Sequence, residues 1–446
     1  MKCLLINPCG IRNTVDIHPP LNLAILAAYA QRYGHEVRIV DEIVGQDYNE
    51  ILNIYNPDVI GITATTPRIT RAYEISDDCR RRGFYTVLGG VNVSVLPEEG
   101  LEHADSVVTG DGEEAIVKIL AGCREKIVRG ESINDLDKLS FPAYDLLDMK
   151  YYSTIYRRQM LTHLHFLPSY SKVASVMMSR GCPYSCKFCC NNWKNTKLRF
   201  HSVARALDEL EYLKKQYRID SIFFFDDNIF ANKKWLKSLC EGMVERNLNL
   251  IWSCQSTVTH LDAEILALCK KAGCRQIQFG MESGSPRILE YLKNGRCTVE
   301  NNRRVARIFR EIGILSFASF IIGNPDETLE DIQLTENLIK ELQLDFGGAL
   351  IATPFPGTEF WRWAQDHGRM PEHLDYNLLN TANVVFNLTR DIPSQILLEK
   401  LQDINNYFLK KNWALRFNTM LKIYVNKGYK ILSLIKLKRR KVRGGR

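Results

Sequence analysis

Two α/β units in series and a helical C-terminal extension are the fold that this sequence predicts. The first unit is a doubly wound parallel sheet and the second a partial barrel of six strand–helix repeats. Three observations carry that expectation. Short apolar runs alternate with amphipathic stretches from residue 1 to about 130. A second strand-then-helix rhythm runs from about 171 to 365. The composition then changes, because residues 410 to 446 hold thirteen Lys or Arg and no Asp or Glu. The net charge of +8 therefore belongs to that tail, and the first 409 residues carry −5. With 446 residues, 45% hydrophobic and 25% charged, the chain has room for two or three domains of ordinary globular composition.

In the first unit, Lys2 to Pro8 reads as a buried strand and Leu21 to Tyr33 as a helix stopped by Gly34. Further strands are expected at Glu36 to Val44, Asp58 to Thr63, Tyr85 to Gly89 and Ser106 to Thr109, with a helix from Arg68 to Arg82. Ligands of such sheets bind at the carboxyl ends of the strands. Those ends carry Asn7-Pro8, Thr63-Ala64-Thr65-Thr66 and Gly89-Gly90-Val91-Asn92. A linker follows over 131–170, and its second half, Met149 to Ser171, reads as irregular and is expected to cover one side of the site.

In the second unit, strands are expected at Val173–Met178, Ser221–Phe225, Leu250–Cys254, Gln276–Gly280, Ser316–Ile322 and Ala349–Ala352. Helices fall between them, at Val203–Gln216, Lys233–Arg246, Asp262–Ala272, Pro286–Leu292 and Val299–Ile312. Ser285 before Pro286 is a capping hydroxyl followed by a ring with preset φ. Functional side chains of a barrel gather at the strand ends.

One strand end stands out. Ser179-Arg180-Gly181-Cys182-Pro183-Tyr184-Ser185-Cys186-Lys187-Phe188-Cys189 places three cysteines on one loop at Cys-x-x-x-Cys-x-x-Cys spacing. Three such thiolates can bind three irons of a cubane cluster and leave the fourth iron open to an outside molecule. The alternatives are a zinc knuckle or three packed thiols. Zinc prefers four ligands; the adjacent Cys190 is expected to point away, and no His follows the loop until His201. The chain has thirteen cysteines, only one group of them closely spaced, and opens without a secretory pattern. This argues for a reducing cytoplasm.

On this loop the chain resembles the radical S-adenosylmethionine (SAM) superfamily, in which SAM occupies the open iron and an aromatic precedes the third cysteine, as Phe188 does. The first unit is similar to the cobalamin-binding domain that precedes many of these enzymes. The matching stretches are Pro19-Pro20-Leu21-Asn22-Leu23-Ala24, the Thr-rich end of the third strand, Gly89-Gly90, and Thr109-Gly110-Asp111-Gly112-Glu113-Glu114. The resemblance implies a Rossmann-like (flavodoxin-like) cobalamin-binding domain over 1–130, a radical SAM barrel over 171–365 and a helical region over 366–446. It implies a 4Fe–4S cluster on Cys182, Cys186 and Cys189. SAM is expected beside Phe188, Asp226, Asp227, Glu282, Ser283, Gly323 and Glu327. Cobalamin is expected beside Pro20, Leu21, Thr63, Thr65, Thr66, Gly89, Gly90, Val91, Gly112 and Glu113.

Structural alternatives stand beside these assignments. Asp226 and Asp227 can cap the following helix; Pro325 and Pro356-Gly357 can be turn formers; the first unit can be a cofactor-free flavodoxin-like module. Asp16-Ile17-His18 matches part of the loop through which some cobalamin proteins ligate cobalt, but Leu21 replaces its glycine, so His18 is a ligand or a loop residue near the pocket. Relatives place an Arg shortly after the third barrel strand. Here Ser253-Cys254-Gln255-Ser256-Thr257-Val258 has none, which leaves Gln255 or Ser253 for that SAM contact.

The resemblance implies an enzyme that methylates an unactivated carbon through a 5′-deoxyadenosyl radical and methylcobalamin. A radical cyclase or other carbon–carbon bond-forming enzyme is the alternative, and a non-catalytic cluster-bearing sensor a third. The implied partners are a small-molecule or lipid-like substrate and a flavodoxin- or ferredoxin-type electron donor. Asp391 to Phe408 is expected to be helical. The basic stretch 410–446 suits peripheral membrane contact or a solvated helix end. No separate fold supports nucleic-acid binding, and no apolar run is long enough to span a membrane.

Overall fold

The computed structural model describes residues 1–10, 18–63, 65–159, 171–190, 197–371 and 373–426. The first sheet contains β1 (Lys2–Asn7), β2 (Glu36–Asp41), β3 (Val59–Thr63), β4 (Thr86–Gly89), β5 (Ser106–Gly110) and β6 (Ile127–Gly130). All its pairings are parallel, in the order β2-β1-β3-β4-β5-β6. Its strands are apolar on both faces. Cys3 and Leu5 enter one core with the helices Leu21–Arg32 and Glu113–Leu120, while Leu4 and Ile6 enter the other with Tyr48–Tyr55 and Ile69–Arg81. This two-sided burial is what a sheet with helices on both faces requires. Strand order reverses between β1 and β3, so the crevice at their carboxyl ends is the place for a ligand.

The sequence did not predict β6. It is a four-residue edge strand in which only Val128 is buried, too short for an apolar period. The linker also differs from expectation: Met149–Gln159 is a helix, begun by Tyr151 N donating to Asp148 Oδ1 at 2.8 Å. Tertiary contacts hold it in place, since Tyr152 donates to Asp41 at the end of β2. Upstream, Tyr144 donates to Glu209 of the second unit at 2.6 Å. Residues 160–170 lie outside the described residues.

The second unit contains β7 (Val173–Val176), β8 (Ser179–Arg180), β9 (Arg199–Phe200), β10 (Ser221–Phe224), β11 (Ile251–Thr257), β12 (Cys274–Glu282), β13 (Leu315–Ile322) and β14 (Phe346–Ile351). Six of them form a parallel sheet in chain order, β7-β10-β11-β12-β13-β14, and β8 pairs with β9 as a small antiparallel ribbon. This is a barrel left open between β7 and β14. The helix after β12, Pro286–Lys293, starts as expected, with Ile288 N donating to Ser285 Oγ at 3.4 Å. The open edge at β14 is covered by the helix Ser394–Asn426. Its Asn405 accepts from Ala349 N at 2.8 Å and donates to Ala349 O at 3.2 Å, occupying backbone groups that an edge strand otherwise exposes. Among the described residues no helix is long and apolar enough to cross a membrane. The tail 427–446 lies outside the described residues.

Candidate functional site

Parallel pairing brings the carboxyl ends of all six barrel strands to one rim, and the cysteine loop leaves β8 at that rim. Gly181, at φ +88°, turns the chain out of β8. Cys182, Cys186 and Cys189 are all half-buried thiols outside any disulfide. Burial pushes the Cys182 and Cys186 thiols up, with Lys293 opposing the effect at Cys186. The loop is pinned by Cys189 N donating to Cys186 O, by Lys187 N donating to Leu292 O, both at 3.1 Å, and by Glu359 N donating to Lys187 O at 3.0 Å. Phe188 packs against the small buried cluster that holds Ile288, Leu292 and Phe360. Among the described residues no three His, Cys, Asp or Glu side chains converge as ligands of a single ion. A cubane does not ask them to, because each thiolate takes a different iron.

The other rim residues fall into two layers. Asp227 is exposed and lines the cavity between the two units, whereas Asp226 is 1% exposed and lies beneath the loop. Its Oδ1 accepts from Met178 N at 3.0 Å and from Ser179 Oγ at 2.5 Å, so it ties the end of β10 to the start of the loop. Burial pushes its carboxyl up to about 7. Glu282 is buried in an ion pair with Lys293. Ser283 is fully buried, with its hydroxyl 3.1 Å from Thr335 Oγ1 and accepting from Ser285 N. Glu327 Oε2 accepts from Gly323 N at 2.6 Å and Asn324 N at 2.9 Å, closing the turn that Gly323 makes at φ +79°. Ser283 thus spends its hydroxyl within the rim, whereas Asp226 and Glu327 each bind the rim's own backbone through one carboxylate oxygen and keep the other without a partner.

Glu327 also gives a pH prediction. Burial pushes its carboxyl from 4.5 up to about 8. Across that window the folded chain keeps a proton that the unfolded chain has released, so stability falls as pH rises. Between about pH 5 and pH 8, the melting temperature of the wild type should fall more than that of Glu327→Gln, which keeps the neutral form. Parallel pH dependence of the two proteins in a thermal melt would contradict this.

A cavity of about 340 Å³ lies between the carboxyl edge of the first sheet and the β8 ribbon. Thr63, Gly89, Gly90, Gly112 and Glu113 line it, together with Asn22 and Leu23 of the Pro19-to-Ala24 stretch and with Leu26, which the sequence reading did not single out. A Cβ on Gly89 would meet nothing within 4 Å, so the glycine leaves open space along the wall. Pro20, Leu21, Thr65, Thr66 and Val91 do not line it. Leu21 is in the core, Thr66 accepts from Asn92 Nδ2 at 3.2 Å, and Thr65 faces solvent. Pro20 is buried as the residue that starts the Leu21–Arg32 helix, and Val91 begins the helical turn Val91–Val95. His18 Nδ1 lies 2.9 Å from Ser175 Oγ, and its ring is 4.3 Å from that of Phe225, so it packs on the barrel. Asp16, Ile17 and Ala64 lie outside the described residues.

Two arginines of the ribbon join the units at this cavity. Arg180 pairs with Glu113 and stands 3.7 Å from Asp111; Arg199 Nη1 is 2.9 Å from Asp111 Oδ2 and donates to Ile133 O at 2.6 Å. Nothing in the sequence foretold these pairings, because each spans more than sixty residues.

The buried side-chain polar atoms without a hydrogen-bond partner, among the described residues, are Asn92 Oδ1, Glu113 Oε2, Asp226 Oδ2, Asn228 Nδ2, Ser253 Oγ, Asn324 Oδ1 and Glu327 Oε1. All but Ser253 follow the carboxyl end of a sheet strand, and Ser253 lies inside β11. Each such atom costs about 1–3 kcal/mol, a cost that folds concentrate where ligands bind.

A flavodoxin-like sheet, an open six-stranded barrel and a three-cysteine loop whose first residue, Gly181, lines the cavity between them define a two-domain enzyme. Residues 176–339 match the radical SAM superfamily and residues 9–120 the B12 binding domain. An uncharacterised methyltransferase of Pyrococcus horikoshii is 33% identical over 397 residues, covering 82% of this chain and 83% of that protein. The anaerobic magnesium-protoporphyrin IX monomethyl ester cyclase of Rubrivivax gelatinosus is 25% identical, over 92% and 78% of the two chains. The radical SAM methyltransferase TsrM of Kitasatospora setae, solved with cobalamin and a [4Fe-4S] cluster, shares the fold at a TM-score of 0.67 and 21% identity, covering 83% of this chain and 79% of that one. The chain belongs to the radical SAM enzymes that carry an N-terminal cobalamin-binding domain.

Proposed function

We propose that this enzyme is a cobalamin-dependent radical SAM methyltransferase acting on an unactivated carbon of a small molecule. The observation that carries the reading is the meeting of three features at one joint: the cysteine loop, the glycine-walled cavity and the unpartnered buried polar atoms. Cys182, Cys186 and Cys189 are assigned to a 4Fe–4S cluster, whose low-potential electron comes from a flavodoxin- or ferredoxin-type donor. Asp227, Ser253 and Glu282 are assigned to SAM. Thr63, Gly89, Gly90, Gly112 and Asn22 are assigned to cobalamin. When bound, these groups supply a radical able to abstract hydrogen from carbon and a transferable methyl group.

The chain's own residues orient and exclude water. Asp227 presents a carboxylate acceptor at the cavity, suited to an ammonium. Asp226 and Glu327 hold the two flanking turns from beneath. Leu23, Leu26, Val87, Val108 and Ile116 give the cavity an apolar wall on the cobalamin side. Cysteines that form no disulfide fit a cytoplasmic enzyme.

Methyl-labelled SAM tests the reading: label should appear in the product. Product without label would favour ring closure, the reaction class in the name of the 25% identical relative. The arginine ribbon gives a further expectation. Arg180→Met leaves Glu113 buried and uncompensated, a loss of about 3–5 kcal/mol at the domain joint. Cobalt per chain should fall while iron per chain is kept; equal retention of both would show that the pairing does not shape the cobalamin pocket.

A further inference from the structure

The C-terminal end of the helix Pro286–Lys293 brackets the cysteine loop at three consecutive residues. Leu292 O accepts from Lys187 N at 3.1 Å. Lys293 Nζ stands 5.2 Å from the ring centroid of Phe188. Asn294 Nδ2 donates to Ser185 O at 2.6 Å and lies 3.0 Å from Ser185 Oγ. Two of these contacts are hydrogen bonds to the loop, whereas the middle one brings a charge.

Lys293 is 9% exposed, and its Nζ is 2.7 Å from Oε1 of Glu282, itself 4% exposed. The pair is held in an unusual backbone. Glu282 sits at φ +59°, and a Cβ on Gly280 would lie 1.9 Å from Glu282 Oε1, so the carboxylate folds back into space that only glycine leaves. A buried ion pair seldom adds stability over apolar residues of similar volume. Its location suggests what else it does: Lys293 lines one small pocket with Cys186, Arg296 and Cys297, and the Arg296 guanidinium lies 5.2 Å over the Tyr184 ring. A buried ammonium and a second cation therefore flank the Cys186 side of the loop.

We propose that Lys293 is a positioning residue that fixes a positive charge beside the cluster held by Cys182, Cys186 and Cys189 and raises its reduction potential, with Glu282 as the opposing charge that sets the size of the effect. This rests on the cluster assignment made above. Reduction adds negative charge to a cluster that already carries three thiolates, and a nearby cation favours the reduced form. Charge and hydrogen bonding around the sulfurs are among the levers that set such potentials. In a poorly screened interior the interaction is felt across several ångströms.

The test is an EPR-monitored redox titration with dithionite on anaerobically reconstituted protein without SAM. Lys293→Met should move the midpoint to lower potential, Lys293→Arg should restore it towards the wild-type value, and Glu282→Gln should move it to higher potential. The opposite signs are the signature, since a bracket that only holds the loop would change iron content and leave the midpoint in place. Unchanged midpoints in iron-replete Lys293→Met and Glu282→Gln, or shifts of the same sign, overturn the proposal. If Lys293→Met does not retain iron, Glu282→Gln decides alone, and an unchanged or lowered midpoint overturns it. A wild-type protein with no reducible cluster would overturn the cluster assignment beneath it instead.

Discussion

Cys186→Ala should abolish SAM cleavage and strip the protein of most of its iron, while Cys190→Ala, four residues along, should leave both near the wild-type level. Changes in residues that merely support a metal ligand cost about 10–100-fold in affinity or activity, so removal of a ligand should exceed that. The contrast is informative because both cysteines are half-buried thiols on the same stretch, outside any disulfide. A general loss of loop order would affect both variants alike. The loop is also pinned by backbone bonds from Lys187 and Cys189 that neither substitution touches. Iron per chain and 5′-deoxyadenosine formation with dithionite and SAM are the readouts. Full iron in Cys186→Ala, or loss of iron in Cys190→Ala, would contradict the ligand assignment.

The second large effect is expected at Gly89. This residue lines the cavity, has no positive φ, and has nothing within 4 Å of a built Cβ. A larger side chain is therefore compatible with the backbone and projects into the cavity. Gly89→Leu should weaken cobalamin binding by about 5- to 150-fold and lower cobalt per chain, since overpacking costs about 1–3 kcal/mol and 1.4 kcal/mol is tenfold in an equilibrium constant. Iron content should be unchanged, and labelled methyl should no longer reach product. Gly90 is less useful as a probe: at φ +105° any side chain strains the backbone, so a loss there would not separate cofactor exclusion from misfolding. Retention of cobalt by Gly89→Leu would move the cobalamin site away from this cavity.

Much of this arrangement was legible in the sequence, for local reasons. Apolar runs of four to seven residues marked the buried strands, and Ser285-Pro286 marked a helix start that the structure shows. The spacing of Cys182, Cys186 and Cys189 pointed to cluster chemistry without help from distant residues. What could not be read was which neighbour faces a ligand. Asp226 and Asp227 are adjacent and chemically alike, yet the turn after β10 sends one under the loop and the other to the cavity. Thr65 and Thr66 lie near a strand end that carries the right residue types, but one faces solvent and the other is bonded to Asn92. The longer-range features were invisible for the same reason. Lys293 reads as an ordinary basic residue in the last turn of a helix, a place where cations suit the helix dipole. Only the fold brings it to Glu282 and the cysteine loop. Arg180, Arg199, Asp111 and Glu113 become an interdomain latch only when the β8 ribbon meets the first sheet.

The most direct test of the account is iron and cobalt content on protein purified anaerobically from cells supplied with cobalamin, with the visible spectrum recorded on the same sample. About four irons and about one cobalt per chain are expected. Iron without cobalt would contradict it: the barrel chemistry would stand, but the glycine-walled cavity would lose its cobalamin assignment and methyl transfer through cobalt would fall with it.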